Sequence, residues 1–237
     1  MPTVGRAFSS NVRIATKRIP FPSHVRESSS SLDASAADAS LGLGKPLCIY
    51  ETITIQPSGM KEGEVPIPKQ AVSVEDLTPQ LNAFLSSSGM RNGVVHVISR
   101  HTTTTITINE LESRLARDVE EFFLKLCHPN ERSSSEKRAV GARYLHNDID
   151  QRPDGGEEAQ RCRDNGWDID DAEELQKWRD QEPINAHSHL ISMILGSSES
   201  IPVVDGEMVI GQWQSVLMVD LDGPRTRTVG VQLMGYE

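Results

Sequence analysis

A chain of 237 residues with a formal net charge of −10 has room for one domain or two small ones. The first 45 residues hold six Lys or Arg against three acids and residues 148–183 hold five against thirteen, so the remainder carries only −5 and offers no basic field to draw in nucleic acid. No apolar run approaches the roughly 20 residues that a membrane-spanning helix needs. Cys48, Cys127 and Cys162 are odd in number and widely spaced. That argues against a disulfide framework or a thiolate zinc site, and points to a reducing, intracellular compartment.

Met1 to Arg26 has five Lys or Arg and no acid. This composition suits a mitochondrial targeting segment and a disordered basic tail equally, so a mitochondrial or cytoplasmic location is expected. Residues 28–44, rich in Ser, Ala and Gly, read as linker, which sets residues 1–45 apart from a domain over 46–237. The first element of that domain is a strand over Leu47–Gln56, whose Leu47, Ile49, Glu51, Ile53 and Ile55 share the face expected to be buried. A helix is predicted over Pro79–Ser87, with Thr78 as N-cap, Gly89 beyond its end, and Leu81, Phe84 and Leu85 buried. Gly93–Ser99 and Thr102–Ile108 read as strands joined through Arg100 and His101, with His96 as a hydrogen-bonded core residue.

Glu110–Cys127 is predicted to be one helix, because Leu111, Leu115, Val119, Phe122, Phe123 and Leu126 recur at helical spacing. The acidic stretch over 148–183 reads as an insertion, a solvated lid in which Ala172–Trp178 forms a short helix. Asn185–Leu195 is a helix ended by Gly196, Ile201–Val204 a strand, and Asp205-Gly206 a turn. Met208–Leu221 and Thr226–Met234 are two further strands with a hairpin-like connection. Runs of strands separated by two or three helices predict an α+β fold, a mostly antiparallel sheet sandwich.

Three histidines sit beside polar groups where secondary structure changes: His101, His146 and His189. Three imidazoles would leave a tetrahedral zinc one open position, although the spacing fits no zinc motif and by itself favours three unrelated surface or hydrogen-bonded histidines. His187 lies two residues from His189, so the two rings point apart on a helix and His187 is a bystander. Glu110 and Asp118, eight apart on the predicted helix, fall on one side as a candidate imidazole partner and general base, or simply as acids suited to that helix. Arg225 and Arg227 alternate on one face, which suits bidentate capture of phosphate or a salt bridge to an acid. No phosphate-binding Gly-rich loop, dinucleotide fingerprint or serine-hydrolase elbow is present.

Read together, His101-Thr102-Thr103-Thr104-Thr105, Asn109-Glu110, Asp118, Tyr144-x-His146, Asn185-Ala186-x-x-His189, Gly211-Gln212-Trp213-Gln214 and Asp222-Gly223-Pro224-Arg225 closely resemble the YjbQ-like family, from about Pro46 to the C-terminus. The resemblance implies a single α+β domain assembled as a homotrimer, and a pocket holding a divalent metal, zinc or magnesium, on His101, His146 and His189. It also implies a secondary thiamine-phosphate synthase activity, joining a pyrimidine diphosphate to a thiazole phosphate and releasing pyrophosphate. A metal-dependent hydrolase and a non-catalytic metabolite-binding protein are the alternatives. On this reading Asn109, Glu110 and Asp118 are the catalytic candidates, and Thr102, Asn185, Arg225 and Arg227 the substrate-binding ones. The chain departs from the family in lacking an Asp-Pro pair after Asn109-Glu110, in the acidic insertion and in the basic leader.

Overall fold

The computed structural model describes residues 44–56, 71–129, 144–223 and 225–237. The basic leader and nearly all of the linker read from the sequence lie outside them. Eight strands and five α-helices follow in chain order among the described residues: β1 (Pro46–Ile55), β2 (Ala71–Asp76), α1 (Thr78–Ser88), β3 (Asn92–Ser99), β4 (Thr104–Asn109), α2 (Ser113–Leu126), α3 (Gly156–Asp164), α4 (Ala172–Gln181), α5 (Ala186–Leu195), β5 (Ser198–Val204), β6 (Glu207–Met208), β7 (Ser215–Gly223) and β8 (Arg227–Tyr236). A five-stranded sheet, β1-β8-β3-β5-β6, faces a three-stranded sheet, β2-β7-β4, and every pairing is antiparallel. The α+β sandwich expected from the sequence is the architecture observed.

Its core lies between the sheets. Ile53 and Ile55 of β1, Val95 and Val97 of β3 and Val229, Val231 and Leu233 of β8 pack with Ile106 of β4 and Val216 and Met218 of β7, and Leu81 and Leu85 of α1 join them. The predicted inward face of β1 is therefore the buried one. β7 is buried on both faces, as its unbroken apolar run requires. Its Val219 and Leu221 meet Phe123 of α2 and Ile191 of α5, which cover the outer side of the smaller sheet.

Several local expectations change. Thr78 does not cap α1 as read but lies inside it: Leu77 takes the cap position, the Thr78 amide donates to Asp76 Oδ1 at 2.9 Å, and Thr78 Oγ1 accepts from the Val216 amide at 2.9 Å and ties the helix to β7. α2 begins at Ser113, where Glu112 accepts from the Leu115 amide at 2.9 Å, so Glu110 precedes the helix and does not share it with Asp118. Phe122 and Leu126 of its predicted buried stripe are 60 % and 55 % exposed. The run over 208–221 is broken by a turn at Gly211–Gln214, which divides β6 from β7. The hairpin-like end is not a hairpin, because β7 and β8 belong to different sheets. His96 is hydrogen-bonded as expected, through Nδ1 to Ser200 Oγ at 2.8 Å, but is only half-buried.

The insertion holds two helices where one was expected. Arg152 organises it, pairing with Glu158 at 2.6 Å and Glu182 at 3.2 Å and lying 5.6 Å from the ring centre of the buried Trp178. Arg179 Nε closes the unit by donating to the Arg152 carbonyl at 2.9 Å.

Candidate functional site

The chain passes between the two sheets twice in one place, from β3 to β4 and from β7 to β8, and the two crossings lie side by side. Alternation along β7 puts Asp220 on the inner face with Val216 and Met218. There it meets Arg227 at the start of β8: Nε donates to Oδ2 at 2.8 Å and Nη2 to Oδ1 at 2.6 Å, both side chains being almost wholly buried. Arg227 Nη2 also donates to the Asp222 carbonyl at 3.0 Å. Gly223 permits this turn, since a Cβ there would stand 2.2 Å from Asp220 Oδ2.

His101, in the other crossing, accepts from the Thr228 amide through Nε2 at 2.9 Å. A backbone amide can only donate, so Nε2 presents its lone pair to Thr228 and the neutral ring carries its proton on Nδ1. Burial first, then the charge of Arg227, lowers the His101 pKa below its ordinary value, against the pull of Asp220. The Leu221 amide donates to the Thr103 carbonyl at 3.0 Å and joins the crossings.

The third contribution comes from α5. Asn185 Nδ2 donates to Asp222 Oδ2 at 2.9 Å, which turns Oδ1 toward His146 Nε2 at 3.2 Å. Because Oδ1 only accepts, His146 must carry its proton on Nε2 and leave Nδ1 bare when neutral. The His189 ring lies edge-on to His146, 4.9 Å between centroids. Burial, then the nearby His146, lowers the His189 pKa, opposed by Asp222 and by a backbone hydrogen bond with Thr102. Between these elements opens a cleft of about 320 Å³ lined by Arg100, His101, Thr102, Thr103, Pro183, Asn185, His189, Asp222, Arg225 and Arg227.

The model of the family described as UPF0047 protein YjbQ-like matches residues 63–236. The chain belongs to this family. A UPF0047 protein of Methanothermobacter thermautotrophicus is 35 % identical over 164 residues, covering 69 % of this chain and 84 % of that one. One of Archaeoglobus fulgidus is 30 % identical over 163 residues, covering 69 % and 92 %. Among solved structures, a hypothetical protein from Aeropyrum pernix K1 aligns with a TM-score of 0.53 at 28 % identity over 78 % of this chain and 98 % of its own. A protein of unknown function from Sulfolobus solfataricus P2 shares the fold, with a TM-score of 0.54 at 23 % identity over 80 % and 99 %.

In this YjbQ-like chain the cleft gathers His101, Thr102, Asn185, His189, Arg225 and Arg227 of the residues singled out from sequence, with His146 directly behind His189. It does not gather Asn109 and Glu110, which line a separate, mainly apolar cavity of about 100 Å³ beside α2, or Asp118, which is exposed on α2. The paired role read for Arg225 and Arg227 also divides. Arg227 is spent on Asp220, whereas the Arg225 guanidinium makes one ion pair among the described residues, with Asp222 at 3.1 Å, and is 48 % exposed. Arg100, Thr103 and Asp222 join the site without having been singled out. Arg100 immediately precedes the histidine motif, Thr103 lies within it, and Asp222 opens the Asp-Gly-Pro-Arg motif, so adjacency was the available signal.

His187, read from sequence as a bystander, does not line the cleft and is buried with Nε2 3.3 Å from Ser188 Oγ. Among the described residues, no three His, Cys, Asp or Glu side chains converge closely enough to hold an ion. With the lone pair of His101 Nε2 engaged, the described geometry brings only His146 and His189 together as imidazole ligands.

Proposed function

We propose that this cleft binds the phosphate groups of a small phosphorylated molecule and that the protein acts as a thiamine-phosphate synthase. The carrying observation is that Arg100 and Arg225 line one cleft with their guanidiniums open to solvent, Arg225 being 48 % exposed beside its one carboxylate partner, Asp222. Among the described residues the Arg100 guanidinium donates to the Thr52 hydroxyl, at 3.5 Å, and pairs with no carboxylate, and the residue is exposed. Beside them His101, neutral with Nδ1–H, and the Thr102 and Thr103 segment add uncharged polar groups suited to an anion. In the proposed reaction the thiazole nitrogen attacks the pyrimidine methylene, the carbon–oxygen bond to the diphosphate breaks, and pyrophosphate leaves with the bonding electrons. Arg100 and Arg225 hold that growing negative charge.

A metal fits this geometry in part. His146 through Nδ1 and His189 are the ligands on offer, a pair that suits zinc better than magnesium, and a bound ion would supply further positive charge to a phosphate. No role above depends on it. The proposed assembly is the homotrimer of the family resemblance, supported by the exposed apolar side chains of α2 and α5.

The test is formation of thiamine phosphate by the purified protein from the two synthetic halves, with Arg100→Ala and Arg225→Ala as controls. Each variant is expected to lower kcat/KM by about 10- to 100-fold. Absence of product from folded, zinc-supplemented protein that binds pyrophosphate would leave a binding protein without turnover. That reading is favoured by one observation: Asp222, the cleft's carboxylate, is already held by Asn185 and Arg225.

A further inference from the structure

Asn185 stands where a helix takes its cap, yet its side chain makes no capping bond to α5. Oδ1 is occupied by His146 and Nδ2 by Asp222. The cap comes instead from across the insertion: the Ala186 amide donates to Asn147 Oδ1 at 3.0 Å. Two hydrogen bonds thus run in opposite senses between the same two segments, His146 to Asn185 and Ala186 to Asn147. They close the ends of the insertion on each other, one bond fixing a ring of the site and the other the helix that carries His189.

Asn147 is 3 % exposed and does not line the cleft. Its Nδ2 is buried without a partner among the described residues, a cost that an acceptor alone would not incur. What the fold draws from this side chain is therefore its oxygen. We propose that Asn147 is a positioning residue: by capping α5 in place of Asn185 it frees Asn185 to bind His146 and Asp222, and so sets the two site imidazoles relative to each other.

The functional consequence rests on the reading of the cleft as a phosphate site, but the geometric one does not, and two readouts keep them apart. Nitrogen-15 NMR of the full-length protein, with His146→Gln for assignment, reports the tautomer of His146. Inorganic pyrophosphate titration reports the cleft. Wild-type protein is expected to hold His146 as the Nε2–H tautomer. Asn147→Ala is expected to give a mixture of tautomers and about tenfold weaker pyrophosphate binding, and Asn147→Asp, which keeps the oxygen, to restore both. A wild-type tautomer in Asn147→Ala, or failure of Asn147→Asp to restore it, would overturn the assignment. Should Asn147→Ala not fold, Asn147→Asp decides alone, since retention of Nε2–H supports the role and its loss refutes it. If wild-type protein binds no pyrophosphate, the phosphate reading falls while the tautomer still decides the role of Asn147.

Discussion

Arg225 and Arg227 are two residues apart and of one chemical type, but their surroundings give them opposite tasks. Removing Arg227 would strand Asp220, 1 % exposed, with no compensating cation on its two oxygens. Arg227→Met is therefore expected to cost about 3–5 kcal/mol of stability, measured by urea denaturation. The Arg225 side chain is half exposed and pairs with Asp222, so Arg225→Ala, which keeps the backbone amide, should change stability by less than about 1 kcal/mol while weakening pyrophosphate binding. Equal destabilisation by both would contradict the division of roles. The histidines add a pH dependence. His101, His187 and His189 all have pKa values lowered from the ordinary 6.5, chiefly by burial. The unfolded chain therefore takes up protons near that pH before the folded chain does. Stability is unaffected by these groups above about pH 7.5 and falls as pH drops through about 6.5, until each ring passes its own lowered pKa. His187→Gln is expected to flatten that fall, measured as the denaturation midpoint against pH.

At the scale of elements, the insertion is a folded unit whose integrity turns on one residue. Arg152→Ala removes both carboxylate pairings and the cation over Trp178. Limited proteolysis within residues 153–182 should accelerate by about tenfold or more, while His146 and Asn185 stay joined by the reciprocal lock. An unchanged cleavage rate would show that the helices hold without this centre. This unit also marks where sequence stops being informative. β1 is fully legible, since a strand's alternation depends on adjacent residues and Glu51 occupies the buried face with its apolar neighbours. The start of α2 is not, because apolar spacing continues through Leu111 while the backbone turns helical only after Glu112. The β7–β8 connection is illegible for a further reason. Two apolar runs around a turn look alike whether they form a hairpin or cross between sheets, and the distant partners β2 and β1 decide which. In the site, His101, His189, Asn185 and Arg225 could be read from motif chemistry. The separation of Glu110 and Asp118 from the cleft could not, since it follows from the placement of a whole helix.

For the molecule as a whole, the open question is what meets the outer helical layer. α2 and α5 bury one side against β7 through Phe123 and Ile191, yet Phe122 and Leu126 of α2 and Leu190, Met193 and Ile194 of α5 stay exposed, Met193 at 81 % and Ile194 at 70 %. Exposed side chains of this size on neighbouring helices are what an association surface would need. The proposed homotrimer supplies an occupant, since a closed ring of identical subunits covers one patch on every copy. Paired substitution of Met193 and Ile194 by Asp places charge on that surface without touching Ile191 in the core. It is expected to convert the assembly to monomers, read by size-exclusion chromatography with light scattering, with little change in the circular dichroism of the fold. A wild-type protein that is already monomeric at micromolar concentration would remove the trimer from the proposal, and the exposed layer would then need a different partner. Retention of the trimer by the double variant would instead move the interface away from α5. If the cleft's lining residues suffice for binding and the fold survives dissociation, pyrophosphate binding by the monomeric variant should remain within about threefold of wild type. A larger loss would mean that a neighbouring subunit completes the site.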